Sequence, residues 1–388
     1  MFMRPPPSLT RRAVLAGAVA GLAGATAGCG QPLPMPAPAD ARRLRLIGEA
    51  RLPHGARFQG TPVGGLSGID FDAANREYLL LSDDRSELAP ARFYTANWSP
   101  APAGPPPRLK GLTYLLRQGG APWPGRRQAV GGVPVPDPEA IRWRPDTGTV
   151  LWASEGNIAR GFGPALYEAA PDGTLLREFA LPAMFRADAA RRRGPRDNLG
   201  FEGLALTPDA HHAWLAMEGP LIEDGPLPTT DAAGGPCRFT QFELASGRAV
   251  RQIAYQPDRI PFRALLPRAP ADNGVTEVLM LDAHRMLVLE RAWAAGVGNS
   301  LRLYEIDTRE AGDTLAVDAL APGNHRAAAK TLVADFAHLG LSRLDNSEGM
   351  CWGPPLPAGE RMLVVVSDDN FHPSQITQFA AFAFTDRS

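Results

Sequence analysis

Cysteine is scarce, with three in 388 residues at Cys29, Cys237 and Cys351. Cys237 and Cys351 fall on different repeats and at different strand positions. That argues against a bridge even where export would permit one, and both read as small buried or turn residues. An excess of either charge is also missing. Forty Lys and Arg face 41 Asp and Glu, for a formal net charge of −1, which excludes a nucleic-acid groove and a broad anionic-membrane patch. No comfortable membrane span is present. The best apolar run, Ala13 to Ala27, is short and rich in Gly and Ala. No Gly-x-Ser-x-Gly elbow occurs, which disfavours a serine esterase. Ser67, in Gly65-Leu66-Ser67-Gly68, stands at a strand start with no evident base. The seven histidines do not recur with any motif, so a zinc or iron site is not indicated.

What is present is a repeated hairpin. Asn198-Leu199-Gly200-Phe201-Glu202-Gly203-Leu204 leads through Pro208-Asp209-Ala210 to Ala213-Trp214-Leu215-Ala216-Met217-Glu218. Two apolar runs flank a turn, as expected for strands buried on both faces. One carboxylate opens the first strand and another closes the second, so both lie at one end of the hairpin. Glu139 to Glu155 repeats the spacing of 16 positions found from Glu202 to Glu218. Ser67 and Asp83 hold the same spacing, with Ser67 in place of the first Glu. Glu277 to Glu290 has a shorter turn and Glu348 to Asp368 a longer one.

The first-strand markers at 67, 139, 202, 277 and 348 are separated by 72, 63, 75 and 71 residues. Short strands repeated at this length point to a propeller. Glycine (40) and proline (39) are abundant and scattered, which suits many turns. The fold expected is all-β: a β-propeller of five four-stranded blades, with six blades as the alternative. The last unit lacks an outer strand, and Arg43 to Leu52 is expected to supply it and close the ring. Pro100 to Pro107, Arg117 to Pro136, Pro220 to Pro236 and Ile260 to Asn273 read as loops over one face. Ala183 to Arg193 reads as a short helix.

Three segments precede or make up this unit. Residues 1–28 read as a twin-arginine-type signal peptide, from Thr10-Arg11-Arg12-Ala13-Val14-Leu15 and the run after it. Residues 29–42 read as a Pro-rich tether and 43–388 as the propeller domain. Two endings of the leader compete. Ala25-Thr26-Ala27 fits simple cleavage, whereas Thr26-Ala27-Gly28-Cys29 resembles a lipobox that would lipidate Cys29. Either implies export to the periplasm, with a membrane reached only through that anchor.

In a propeller the first strand of each blade lines the central channel. Glu139, Glu202, Glu277 and Glu348 are therefore expected in a ring at one mouth. Asp83, Glu155, Glu218, Glu290 and Asp368 form a second set outside it, beside Asp84, Asp369 and Asn370. Crowded carboxylates raise one another's pKa unless a cation neutralises them. Oxygen-only donors favour a hard ion, with Ca2+ the best match. Any one of these residues can instead cap a loop or pair with an arginine; Arg85, Arg142, Arg144, Arg263 and Arg291 are placed to do so. Asp72, Asp146, Asp172, Asp209 and Asp282 are expected in turns at the opposite rim.

Several motifs together resemble a known family. They are Gly64-Gly65-Leu66-Ser67-Gly68, Ser82-Asp83-Asp84-Arg85, Glu139-Ala140-Ile141, Gly200-Phe201-Glu202-Gly203-Leu204, Val288-Leu289-Glu290-Arg291, Asn346-Ser347-Glu348-Gly349-Met350 and Ser367-Asp368-Asp369-Asn370-Phe371. This combination resembles the phytase-like family of exported bacterial proteins. The resemblance spans essentially the whole mature chain. It implies a β-propeller, Ca2+ dependence and phosphoester or ester hydrolysis on a small-molecule substrate. In that reading Glu202 or Glu348 takes a proton from the attacking water, and Arg85 and Arg291 clamp the phosphate. The chain departs from an efficient phytase in lacking a Lys/His-rich phosphate clamp, since Lys occurs only at Lys110 and Lys330. The second hypothesis, from a different class, is a non-catalytic cell-envelope propeller that binds a ligand or partner and holds structural calcium. A monomer is expected in either case.

Overall fold

The computed structural model of the chain describes residues 43–125, 133–188 and 190–386. The leader, the competing endings at Cys29 and the tether all fall on 1–42, outside the described residues. The described part is a ring of five four-stranded antiparallel sheets.

The first blade comprises Leu66–Asp72, Glu77–Ser82, Arg92–Asn97 and Arg108–Tyr114. The second comprises Pro138–Arg144, Thr149–Ser154, Ala165–Ala169 and Leu175–Glu178. Phe201–Leu206, His212–Met217, Cys237–Glu243 and Arg248–Tyr255 form the third. Ala271–Met280, Arg285–Ala294, Gly298–Asp307 and Lys330–Asp335 form the fourth. The fifth takes Ser347–Trp352, Arg361–Ser367 and Thr377–Phe384 from the end of the chain, and Leu44–Leu52 from its beginning.

Closure is by pairing of the two ends, from Leu44 opposite Phe384 to Leu52 opposite Thr377. Each innermost strand touches the innermost strand of the next blade, and the fifth returns to the first. There is thus no room for a sixth blade.

Strands that are sandwiched between neighbouring blades bury both faces. That is why they read as unbroken apolar runs such as Leu79–Leu81, Leu287–Leu289 and Val364–Val366, all buried. Cys237 and Cys351 are buried and unbridged within such strands. Asp72, Asp172, Asp209 and Asp282 accept hydrogen bonds from the turn amides of Ala74, Thr174, His211 and His284, as their position after an apolar run implies.

Two local expectations are corrected. Among its described residues, Ala183 to Arg193 forms no helix; one 3-10 turn, Ala183–Phe185, is followed by a bend. Pro182 opens that turn, and Gly194 at φ 85° ends the run that a helix would have continued. Of the four long connections, Pro100 to Pro107 joins Arg92–Asn97 to Arg108–Tyr114. It therefore lies on the rim away from the inner-strand starts, while Pro220 to Pro236, Ile260 to Asn273 and the described parts of Arg117 to Pro136 lie on the starting side; residues 126–132 fall outside the described residues.

Candidate metal centre

Each inner strand carries a β-bulge, at its first residues in four blades and after five paired residues in the fourth. The register slips between Leu66 and Gly68, Pro138 and Ala140, Phe201 and Gly203, Val275 and Glu277, and Ser347 and Gly349. The extra residues are Ser67, Glu139, Glu202, Thr276 and Glu348. A bulge releases its extra residue from the ladder and re-aims the side chain. Immediately after the second strands, the amides of Asp83, Glu155, Glu218 and Asp368 donate to the carbonyls of Gly65, Asp137, Gly200 and Asn346. Those four acidic residues therefore occupy one equivalent position outside the ring.

The fourth blade is the exception. Its bulged residue is Thr276, and opposite Gly274 stands Arg291. Both expected acids of that blade are displaced by one position. Glu277 turns into the channel, where its carboxylate pairs with Arg142 at 2.7 Å and accepts the Leu204 amide at 2.9 Å. Burial outweighs the attraction of Arg142 and raises the pKa of Glu277 to about 7. Glu290 turns outward between the third and fourth blades. There it accepts from Tyr255 Oη at 2.6 Å and pairs with Lys330 at 2.6 Å. Neither belongs to the mouth cluster.

Asp84 also departs from the expected metal set. It is fully buried, accepts the amides of Glu87, Leu88 and Ala89, and pairs with Arg92 at 2.7 Å. It caps its own loop. Asp369 accepts the Gly65 amide at 2.8 Å and the Phe371 amide at 3.0 Å, latching the fifth blade to the first. Asn370 adopts φ 47° and donates its amide to Asp368 at 2.6 Å. Its conformation serves the loop.

The remaining carboxylates do converge. One oxygen each from Asp83, Asp137 and Glu139 lies within 4.8 Å of the others, and so does one each from Glu139, Glu155 and Glu202. Ligands at 2.3–2.6 Å from one Ca2+ subtend just such separations. Glu139 belongs to both triads. It is 6% exposed, Glu155 3% and Glu202 5%. Burial, and then the charges of Asp83, Glu202 and Asp137, push the Glu139 carboxyl well above its ordinary range. Burial and the charges of Asp137 and Glu218 do the same for Glu155. Burial with Glu348, Asp83 and Asp369 does so for Asp368.

Asp137 was not anticipated from the sequence. It occupies the position two before the bulge, which holds Gly65, Gly200, Gly274 and Asn346 in the other blades. That lone acid in a Gly/Asn column was the available signal. Asp137 is fully buried, and its Oδ1 has no hydrogen-bond partner among the described residues. Its other oxygen pairs with Arg85, which also donates to Asn198 at 2.7 Å. Burial opposes the charge of Arg85, but Asp137 outweighs it and holds the guanidinium's pKa up. An orphaned buried carboxylate oxygen beside an oxygen-only cluster fits a hard, oxygen-preferring cation.

Around this cluster, Glu348 accepts from Asn346 Nδ2 at 2.8 Å. Arg291 pairs with Glu218 at 3.2 Å. Ser67 is buried and its Oγ donates to the Pro138 carbonyl at 3.1 Å rather than to a base. Below the mouth, Arg142 closes the channel. It donates to the carbonyls of Ile69 (2.8 Å), Met350 (3.1 Å) and Val278 (3.3 Å). With Glu277 and Leu204, this contact set joins all five blades at the axis.

Fold and cluster together define a five-bladed propeller with a carboxylate-lined mouth. Over residues 61–371 the chain matches the model of the Phytase-like family, described as having esterase-like activity of phytase, and it belongs to that family. No curated protein matches the chain. Among solved structures it is similar to the catalytic domain of a GH62 α-L-arabinofuranosidase from Coprinopsis cinerea. That match has 9% identity, covers 87% of this chain and 97% of that one, and has a TM-score of 0.45. It is also similar to a periplasmic gluconolactonase of Pseudomonas aeruginosa, at 11% identity, 84% and 87% coverage and a TM-score of 0.35.

Proposed function

We propose that the chain is an exported, calcium-dependent hydrolase of phosphoesters or related esters, acting at the mouth of the channel. The observation that carries this reading is the pair of carboxylate triads sharing Glu139. Asp83, Asp137, Glu139, Glu155 and Glu202 would hold the cation. When bound, Ca2+ would neutralise the crowded carboxylates and attract the oxygens of an anionic ester.

The protein's own groups do the rest. Glu202 and Glu348, released from the ladder by their bulges, are the candidates to take a proton from the attacking water. Arg85 is 17% exposed in its side chain, and it holds Asp137 in register while offering N–H groups to the ester's anionic oxygens. Arg291 is less suited to that clamp because its side chain is only 2% exposed. Neither lysine supplies one: Lys110 pairs with Glu77, and Lys330 with Asp258 and Glu290. Export rests on the twin-arginine-type leader, and a membrane would be reached only through lipidated Cys29.

The low exposure of Glu139, Glu155 and Glu202 favours a second reading, a ligand-binding envelope propeller with purely structural calcium. The test is turnover of an aryl phosphate, phytate and an aryl acetate by the chelator-treated chain, with and without added Ca2+. Hydrolysis that appears only with Ca2+ and is lost in Glu202→Gln supports the enzyme. A calcium-raised melting temperature with no turnover of any substrate supports the second reading.

A further inference from the structure

The mouth has carboxylates from four blades, yet its two cation-sized triads draw only on the first three. The fourth blade explains the asymmetry. Its acids Glu277 and Glu290 each sit one position off the slots used in the other blades, so Thr276, like Ser67 of the first blade, fills the bulge slot, and Arg291 stands where the other blades place Asp83, Glu155, Glu218 and Asp368. Arg291 is 2% exposed. Its Nη2 lies 3.2 Å from Glu218 Oε1 on the third blade and 3.8 Å from Glu348 Oε1 on the fifth. Its Nη1 lies 3.4 Å from Asp272. One guanidinium therefore bridges carboxylates of two different blades, as the cation of the proposed function would bridge carboxylates on the opposite side of the mouth.

We propose that Arg291 is a built-in countercation. It neutralises Glu218 and Glu348 permanently and so confines exchangeable metal to the side of the mouth shared by the first three blades. This deepens the proposed function by fixing how many ions the mouth takes and where. A fixed cation keeps one half of the ring assembled whatever the calcium supply, while the other half depends on it. Asp137 Oδ1, buried and without a hydrogen-bond partner among the described residues, lies on the half that depends on metal. The glutamates bridged by Arg291 lie on the other.

The test compares wild type, Arg291→Met and Arg291→Lys. Each full-length protein is stripped with chelator and titrated with Ca2+ alone. Bound calcium per chain is read by elemental analysis, and the melting temperature is followed in parallel. Arg291→Met is expected to melt below wild type in chelator, to recover when Ca2+ is added, and to bind one more calcium per chain. Arg291→Lys is expected to keep the wild-type stoichiometry. Unchanged stoichiometry in Arg291→Met overturns the proposal, as does failure of Ca2+ to restore its fold. An extra calcium in Arg291→Lys also overturns it, because the charge would then not be what excludes the ion. A wild type that binds no calcium refutes the proposed function and the confinement of metal with it. A gain of one calcium by Arg291→Met in that case would support only the part of the proposal in which Arg291 takes a cation's place between Glu218 and Glu348, and no calcium in either protein would overturn that part too.

Discussion

At the scale of single residues, the axis of the ring depends on one ion pair. Arg142 and Glu277 are 2% and 1% exposed, and the pair draws carbonyls or amides from every blade. Removing one partner of a buried pair leaves the other charge uncompensated, at a cost of about 3–5 kcal/mol. Arg142→Met is therefore expected to lower unfolding free energy by about that amount in urea denaturation. Replacing both partners by apolar residues should cost less than the single change. A loss under about 1 kcal/mol for Arg142→Met would show that the pair does not hold the axis. Residue roles were the least legible part of the sequence. Glu277 and Glu290 look like mouth acids because they are acidic and close to the right spacing. Only the residue that follows betrays them: Gly68, Ala140, Gly203 and Gly349 follow the true bulge residues, while Glu277 itself fills that slot in the fourth blade.

At the scale of elements, the repeating device is a strand that bulges and then continues through a small residue. The small residue is required by the neighbouring strand. A Cβ on Gly349 would sit 2.6 Å from the Ser67 carbonyl oxygen, and one on Gly203 would meet the Val278 amide nitrogen at 3.0 Å. Gly349→Ala is therefore expected to destabilise by about 1–3 kcal/mol, the usual cost of overpacking. Its measurement is the denaturation midpoint; an unchanged midpoint would mean that the inner strands tolerate separation. Hairpin positions, strand order and the closing strand were readable because apolar runs and turn residues repeat at a near-constant interval. The one-residue offset of the fourth blade was not, because a bulge is a backbone event that leaves no apolar signature. Asp84 shows the same limit, since capping a loop and binding a metal ask for the same side chain.

At the scale of the whole molecule, the ring crowds acid at one end and must remain folded while doing so. Glu139, Glu155 and Asp368 have raised pKa values, chiefly through burial, and Glu277 is raised to about 7. A raised carboxyl stabilises the fold fully below its unfolded pKa, near 4, and that contribution is lost as pH rises through the folded value. In chelator the melting temperature should therefore fall between about pH 5 and pH 8, and added Ca2+ should offset most of the fall at the upper end. A chelated protein that is equally stable across that range would contradict the assignment of these groups.

The most direct measurement is calorimetric titration of the chelator-treated chain with Ca2+, beside Glu139→Gln. Because Glu139 is shared by both triads, the wild type is predicted to bind saturably, and the variant to lose at least one site and most of the calcium-induced rise in melting temperature. A wild type that takes up no calcium, or a variant that binds it unchanged, would contradict the account.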